Sequence, residues 1–296
     1  MTYIARSIDV TIQLGTGAFG EGGSTEVKLT GLRVEASVQK NGAPSANTAQ
    51  VRVYGLTLSM MNQLSTMGWI IPPVGSDGKQ LPRNRVTVDA GDAKAGMATV
   101  FQGTVTDAYA DFSGSPDVPF TMVANAGIIP ALRPVAAISF AGTVGYADIM
   151  QAIAGSMGVQ FENHGVTGQT VDPYFPGTAW TQAEYCAMAG QFEWTLDNGT
   201  LSIWPSGSNL GVDIPEITPD NGLVGYPAYN GLGVGFRALF SPAVHFAGRV
   251  KLKSDLTPAC GVWYVYGLSY SLASMVPGGP WFMEILGARI PGVVAV

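Results

Sequence analysis

Short segments in which apolar and polar residues alternate, each closed by a turn, constrain the fold of this chain most. Ile8 to Leu14 reads Ile-Asp-Val-Thr-Ile-Gln-Leu, which places every second side chain on one apolar face, as in a half-buried β-strand. The 39 glycines and 19 prolines supply the residues that end strands and make turns. Because sustained helical periodicity is scarce, the sequence predicts a mainly β protein with a minor helical part.

Residues 1–127 are predicted to form a first β domain of five to seven strands. The alternating segments are Ile8 to Leu14, Val27 to Val38 (crossing Gly31), Ala49 to Tyr54, Arg85 to Ala90, Thr99 to Ala110 and Val118 to Ala126. One short helix is predicted between Thr57 and Met67, with Ser59 as its N-cap and Gly68 as its stop. Regular short strands separated by turns are typical of a barrel or a sandwich.

Residues 128–210 differ in pattern and predict a small α+β module. Ile149, Ile153 and Met157 form one apolar stripe of a helix over Tyr146 to Met157, which Gly158 ends. Asp197-Asn-Gly199 lies between two alternating segments and predicts a tight β-hairpin.

A second helix of the module is predicted from a capping box. Thr181 and Glu184 have the Thr-x-x-Glu spacing in which the two side chains satisfy backbone N–H groups at a helix start. The helix would run to about Gln191. Its apolar residues Tyr185 and Met188, together with Phe192, are predicted to be buried.

Residues 211–296 are predicted to form a second β domain. Four strands are expected, at Gly231 to Phe240, Gly248 to Ser254, Gly261 to Leu272 and Trp281 to Arg289. Arg249, Lys251 and Lys253 alternate along one of them, so they are expected on one face. The fold class predicted for the chain is thus mainly β, with an α+β module between two β domains.

The low charge content predicts a protein that functions inside an assembly. Charged residues make up 12% of the chain and the mean hydropathy is +0.23, whereas soluble domains contain about 25% charged residues. A surface this poor in charge is usually buried against partners. The net charge of −6 argues against nucleic-acid affinity, because phosphate contacts need lysine and arginine.

No membrane association is expected from the sequence. The most apolar stretch, Ile128 to Val144, is interrupted by Pro130, Arg133 and Pro134, and a membrane helix needs about 18 apolar residues in succession. The first ten residues do not have the basic and apolar regions of a secretory signal. We therefore expect the chain to be made and assembled in the cytoplasm.

Patterns that carry chemistry are few. Gly15-Thr-Gly17-Ala-Phe-Gly20 matches the dinucleotide-binding spacing, but that pattern functions only where a helix begins. Here Glu21-Gly-Gly-Ser and another strand follow, so a loop between strands is predicted. Two histidines, His164 and His245, and two cysteines do not match zinc-ligand spacing.

Catalytic residues are not predicted. Cys186 and His164 belong to one module and could in principle form a nucleophile–base pair, yet Cys186 lies in a core-like helical setting beside Ala187 and Ala189. Paired carboxylates could serve a glycosidase, and the module contains several, namely Glu162, Asp172, Glu184, Glu193 and Asp197. Glu184 and Asp197 already have structural roles in the predicted cap and hairpin. We therefore predict no enzyme activity, no catalytic or metal site and no cofactor.

Several segments of the chain share a recognisable pattern of strands and turns. Those in the C-terminal part are Ile217 to Pro227, Gly231 to Pro242, Gly248 to Ser254, Tyr264 to Ser271 and Pro280 to Glu284. Those in the N-terminal part are Gly31 to Lys40 and Ala46 to Leu56. In these segments the chain resembles the baseplate hub family of tailed phages, which is related to the base of the VgrG spikes of type VI secretion. The segments contain no catalytic residues.

The resemblance implies a structural subunit of a virion tail baseplate. Such hubs have two tube-like β-barrels in one chain, and three chains form a ring that joins the tail tube to the central spike. The partners implied are other copies of the chain, the tail tube or tube-initiator protein, the spike and the baseplate wedge proteins. DNA or the tape-measure protein would pass through the ring unbound, so we expect a neutral to negative lumen, with Arg249, Lys251 and Lys253 turned away from it.

Three alternatives stay open at this point. A tail-associated enzyme that degrades peptidoglycan would need a cleft with two acidic residues that have no structural role. An outer-membrane or secreted β-protein would need a signal peptide and lipophilic strands of about ten residues. A tube or distal-tail subunit would need only one barrel, so the second β segment favours the hub.

Overall fold

The computed structural model of the chain describes residues 5–19, 23–66, 82–92, 96–211 and 213–289. Strands account for 49% of it and helices for 17%, so the prediction of a mainly β protein is confirmed. Gly20, Glu21, Met67 and Gly68, which entered the sequence analysis, lie outside the described residues.

Two compact units divide the chain, and each consists of three separate segments. The first unit contains Met1–Gln39, Thr48–Ala126 and Tyr270–Trp281. The second contains Lys40–Asn47, Gly127–Ser269 and Phe282–Val296. The chain therefore passes from one unit to the other five times, after residues 39, 47, 126, 269 and 281.

Among the described residues, seven strands and one short helix form most of the first unit, which also contains the end of a later strand. The strands are β1 (Arg6–Gln13), β2 (Glu26–Leu29), β3 (Val34–Lys40), β4 (Thr48–Tyr54), β5 (Arg85–Asp92), β6 (Gly96–Ala110) and β7 (Pro119–Asn125), and the helix is α1 (Leu58–Leu64). They pair antiparallel in the order β2-β1-β5-β6-β7-β4-β3. The predicted strands of this segment are thus present.

Alternation explains the core of the first unit. Ile8, Val10 and Ile12 on β1 are almost completely buried, while the residues between them are partly exposed. Val86 and Val88 on the neighbouring β5 are buried in the same way. The period of two residues therefore indicates correctly which side chains fill this core.

Helix α1 begins at a different residue from the one predicted. Its N-cap is Thr57, whose hydroxyl accepts a hydrogen bond from the Met60 N–H at 3.3 Å, and not Ser59, which lies within the helix. Both residues are good caps, and the extended backbone of Thr57 decides between them. The helix ends at Ser65 rather than near Gly68.

The described part of the second unit contains three α-helices and most of the remaining strands. The helices are α2 (Ile128–Leu132), α3 (Tyr146–Met157) and α4 (Ala179–Gly190). The strands up to residue 217 are β8 (Ile138–Ser139), β9 (Thr143–Gly145), β10 (Gln160–Asn163), β11 (Gln169–Val171), β12 (Tyr174–Phe175), β13 (Phe192–Asp197), β14 (Thr200–Pro205) and β15 (Glu216–Ile217). The later strands are β16 (Leu223–Tyr229), β17 (Gly233–Leu239), β18 (Arg249–Leu252), β19 (Gly261–Ser274) and β20 (Trp281–Ala288). Strand β19 ends in the first unit, and β20 begins there.

Helix α3 and the hairpin of the module follow their sequence signals. Ile149 and Ile153 are fully buried, and Gly158 ends α3 with a φ of 71°. Strands β13 and β14 pair antiparallel, with Asp197 opposite Thr200. The two turn residues between them, Asn198 and Gly199, both have positive φ, at 47° and 80°, as a type I′ hairpin requires.

The predicted start of helix α4 is wrong by three residues. Thr178 is the N-cap, and its hydroxyl accepts a hydrogen bond from the Thr181 N–H at 3.2 Å. Glu184 is therefore too far along the helix to reach the cap, and it accepts a hydrogen bond from the Trp180 indole at 2.9 Å instead. The capping-box reading fails because a second threonine lies three residues earlier.

The earlier start also changes which residues of α4 are buried. Trp180, Ala183 and Ala187 face the core with Cys186, whereas Tyr185 and Met188 are 47% and 75% exposed. The prediction that Tyr185 and Met188 are buried is thus wrong. Phe192 is buried as predicted, but it belongs to β13.

We expect Met188→Ser to change the free energy of unfolding by less than about 0.5 kcal/mol, because an exposed side chain contributes little to the folded state. Truncating a buried methionine would instead cost about 2 to 5 kcal/mol. Urea titrations of the parent protein and of Met188→Ser, followed by circular dichroism, measure the difference in the free energy of unfolding. A loss in the larger range would contradict the observed orientation of α4.

The sheet strands near the C-terminus extend the predicted set from four to six. Strands β17, β18, β19 and β20 correspond to the four predicted strands, and β16 and β15 are additional. Strand β17 pairs antiparallel with β16 and β20, and β18 pairs with β15 and β19. Val234 and Leu252 are fully buried, which confirms that these segments are core strands. Among the described residues, no helix is long and apolar enough to span a membrane.

Candidate functional site

The residues considered for nucleophilic catalysis do not form a reactive pair. Cys186 is completely buried on α4, and burial raises the pKa of its thiol to about 12, so it is not a thiolate at neutral pH. The Nε2 atom of His164 lies 3.4 Å from the Glu162 carboxylate. Cys260 is half-buried, and both cysteines are free.

The described residues also contain no cluster of three or more His, Cys, Asp or Glu side chains that could hold a metal ion. His245 lies between β17 and β18. The glycine-rich segment from Gly15 to Phe19 is a bent loop that leads to an isolated antiparallel bridge between Phe19 and Ser24.

All five carboxylates that could have served a glycosidase have structural partners. Asp172 accepts a hydrogen bond from the Gly142 N–H at 2.6 Å, and Glu162 lies against His164. Glu184 accepts from the Trp180 indole, and Asp197 pairs with the Lys40 ammonium group. Glu193 accepts from the Trp204 indole at 3.0 Å and from the Tyr264 hydroxyl at 3.2 Å.

Two of these carboxylates, Glu184 and Glu193, line an open cleft in the second unit. Its volume is about 810 Å³, within the range of ligand sites in proteins. The loop before β4, the exposed side of α4, the β13–β14 hairpin and strand β19 form its walls. The aromatic residues that line it are Phe192, Trp194, Trp204, Phe246, Tyr264 and Tyr266.

The hydrogen bonds at Glu193 fix one wall of this cleft. Trp204 is almost completely buried, and its indole N–H has the Glu193 carboxylate as its partner. Burial, followed by the nearby Glu193 charge, raises the pKa of Tyr264 far above its ordinary value. The phenol therefore stays protonated and donates to Glu193 at any physiological pH.

A buried ion pair anchors the loop Lys40–Asn47, part of which lines the cleft. Lys40 is 4% exposed, and its ammonium group contacts the Asp197 carboxylate and lies 3.3 Å from the Asn198 side-chain oxygen. Burial lowers the pKa of Lys40, and the Asp197 charge opposes that shift. Asn47 donates to the same carboxylate at 2.9 Å.

Backbone contacts hold the same loop against strand β13. The Ala43 N–H donates to the Trp194 carbonyl at 3.1 Å, and the Thr195 hydroxyl donates to the Asn41 carbonyl at 3.0 Å. Asn47 also donates to the Leu196 carbonyl at 3.2 Å. The loop and the hairpin thus form one rigid wall on which Ala43 and Pro44 face the cleft.

The basic residues of β18 and the lysine that directly follows it lie on the polar side of this segment. Arg249, Lys251 and Lys253 alternate with the buried Val250 and Leu252. Glu216 on β15 lies 3.2 Å from the Lys251 ammonium and 2.7 Å from that of Lys253. The hydrogen bonds from both lysines lower the pKa of Glu216, and its one carboxylate offsets part of the positive charge of this stretch.

An exposed apolar surface covers part of β16, β17 and β20. The exposed residues are Tyr226, Tyr229, Leu232, Leu239 and Leu286. An ion pair between Arg237 and Glu284, 2.6 Å apart, lies among them. The sequence pattern predicted strand β17, but β16 was missed because Gly225 and Pro227 interrupt its pattern.

Comparison with known proteins gives a consistent result. The model of the family described as baseplate hub gp41 matches residues 7–282 of this chain. The search of curated proteins found no match to this chain.

Solved structures with the same fold include two tail proteins. One is the tail protein from Neisseria meningitidis MC58, with 8% identity and a TM-score of 0.62 over 95% of this chain and 96% of that chain. The other is the 43 kDa tail protein of prophage MuSo2 from Shewanella oneidensis, with 10% identity and a TM-score of 0.60 over 95% and 96%.

A third structure is an E. coli component of the type VI secretion system, described as similar to the T4 bacteriophage tail proteins gp27 and gp5. It shares 8% identity and a TM-score of 0.59 over 88% of this chain and 74% of that chain. At such low identities these likenesses concern the fold alone.

Proposed function

The chain belongs to the baseplate hub gp41 family, and from this premise we propose that it is a structural hub subunit of a phage-type tail. Three copies would form a ring with a central channel, which joins the tail tube to the central spike in the baseplate of the virion. The family match over residues 7–282 is the observation that carries the proposal. Segments 1–127 and 211–296 would each supply one tube-like barrel, with the module 128–210 between them.

The surface of the chain supports assembly into a ring. Strand β16 pairs with β17 on one side, and among the described strands its other side has no partner. Such an edge is a template for pairing with another chain. The exposed tyrosines and leucines of β16, β17 and β20 lie beside it, and burying them in a subunit contact would explain a chain with only 12% charged residues.

The proposed channel would be neutral to negative. A trimer carries a net charge of 3 × (−6) = −18, which disfavours retention of a passing polyanion. Lys251 and Lys253 are neutralised in part by Glu216, and we propose that this strand face is turned toward protein or bulk solvent rather than toward the lumen.

Purified protein at micromolar concentration is expected to have three times the chain mass of 30.9 kDa and to show rings in electron micrographs. Light scattering coupled to gel filtration measures the mass. A monomer under all ionic conditions, without rings in the presence of the tail-tube protein, would refute the trimeric hub.

The chain is proposed to act without enzyme activity. Cys186→Ser combined with His164→Gln should leave tail assembly and infectivity near those of the parent particle, because neither side chain is arranged for catalysis. Zymography on peptidoglycan with the purified chain addresses the alternative of a lytic enzyme. Clearing that disappears in Glu184→Gln or Glu193→Gln would favour the enzyme over the hub.

A further inference from the structure

The cleft in the second unit has a charge that its own residues do not balance. Among the described residues that line it, Glu184 and Glu193 are the charged ones, and Lys and Arg are absent. Glu184 accepts its hydrogen bond through Oε1, and Glu193 accepts both of its bonds through Oε2. The second oxygen of each carboxylate has no hydrogen-bond partner among the described residues.

The remainder of the wall is apolar and suits aliphatic side chains. Ala43, Pro44, Ala187 and the exposed Met188 line the opening. Phe246, Tyr264 and Tyr266 are half-buried in the wall. Aromatic rings beside carboxylates that have no counter-charge in the lining attract a cation through both charge and the ring quadrupole.

The wall fits a polypeptide better than a glycan. Sugar rings bind by stacking on open indole faces, but Trp194 and Trp204 are 3% and 1% exposed and present little ring surface. The neutral polar side chains in the lining are Gln191 and Ser206, besides the two tyrosines. A glycan would leave many hydroxyl groups unpaired on such a wall.

We propose that this cleft is a docking site for a basic segment of a partner protein, in which lysine or arginine alternates with aliphatic residues. The basic side chain would bind between Glu184 and Glu193, and the aliphatic ones would pack on Met188, Ala187 and Pro44. The site goes beyond the ring-forming role of a hub, and it does not depend on the trimer.

The proposal can be tested with a synthetic probe. The probe is a capped hexapeptide, Leu-Arg-Ala-Leu-Lys-Ala, titrated into the full chain while tryptophan fluorescence is recorded, since Trp194 and Trp204 line the cleft. Two control ligands are the same peptide with glutamate at both basic positions, and a chitin tetrasaccharide. Binding is measured at low and at physiological salt, because a charge-based contact weakens as salt increases.

Variants separate the cleft from the rest of the surface. Glu184→Gln with Glu193→Gln keeps acceptors for the indole and phenol groups but removes both charges. Met188→Lys places a like charge at the exposed rim without disturbing the core. Glu26→Gln on the exposed strand β2 removes one charge elsewhere and is the matched control.

The expected result is saturable binding of the basic peptide, weakened about tenfold or more in the Gln double variant and in Met188→Lys, and unchanged in Glu26→Gln. Melting curves confirm that each variant is folded. The proposal is overturned if the basic peptide does not bind, if the acidic peptide binds equally well, or if the two cleft variants bind normally. Binding of the tetrasaccharide alone would assign the cleft to a glycan instead.

Discussion

Val234→Asp is expected to destabilise the folded chain by about 4 kcal/mol or more. Val234 is fully buried on β17, between Tyr229 of β16 and Gly287 of β20. Removing the valine forfeits about 1.5 to 3 kcal/mol of apolar burial. Burial would raise the pKa of a carboxyl group at this position by up to about 3 to 5 units. Each unit corresponds to about 1.4 kcal/mol of folding free energy. At neutral pH the unfolded state gains this advantage because its carboxyl group is ionised in water.

The measurement is the urea concentration at the midpoint of unfolding, with Leu239→Asp as the control. Leu239 lies on the same strand and is 42% exposed, so its substitution should cost about 1 kcal/mol or less. If Leu239 is part of a subunit contact, that variant should fold normally but assemble poorly. Equal midpoints for the two variants would show that β17 is not a core strand.

Asp197→Ala is expected to cost about 3 to 5 kcal/mol, because it leaves the buried Lys40 ammonium without its counter-charge. The side chain of Lys40 is 3% exposed, whereas that of Asp197 is 35% exposed. Lys40→Met should therefore cost less, about 1 to 2 kcal/mol, since water can reach the carboxylate that remains. Thermal unfolding of both variants gives the comparison, and a larger loss for Lys40→Met would contradict it.

The pH dependence of Asp197→Asn adds a second readout for the same pair. The pKa of Lys40 is already lowered from 10.5 by burial, and removing the Asp197 charge lowers it further. Between that pKa and 10.5 the unfolded chain binds more protons than the folded chain, so stability rises with pH. We expect Asp197→Asn to recover part of its lost stability above neutral pH, whereas the parent protein should gain less over the same range.

Sequence patterns identified those elements whose signals are local. The alternation in Ile8 to Leu14 and the Asn198-Gly199 turn both depend on neighbouring residues, and both appear as predicted. Helix α4 was misplaced because Thr178 and Thr181 are both acceptable caps. Local propensity does not distinguish them, and the packing of Trp180 and Ala183 against the core decides.

The cleft could not have been predicted from the sequence, because its residues come from widely separated segments. Ala43, Glu184 and Tyr264 are each more than 75 positions apart in the chain, yet they line one cavity. Lys40 and Asp197 are likewise separated by 157 positions. In the sequence, Lys40 is visible only as a lysine at the end of an alternating strand. That pattern does not indicate Asp197 as its partner.

The five passages of the chain between its two units have a consequence for synthesis on the ribosome. The first unit needs Tyr270–Trp281 to be complete, and the second needs residues as early as Lys40 and as late as Phe282. Long chains commonly fold their N-terminal domain first during synthesis, but here we expect neither unit to complete its fold before nearly the whole chain has been made. We expect a truncated product that stops before Tyr270 to be a substrate for chaperones and proteases rather than a folded half.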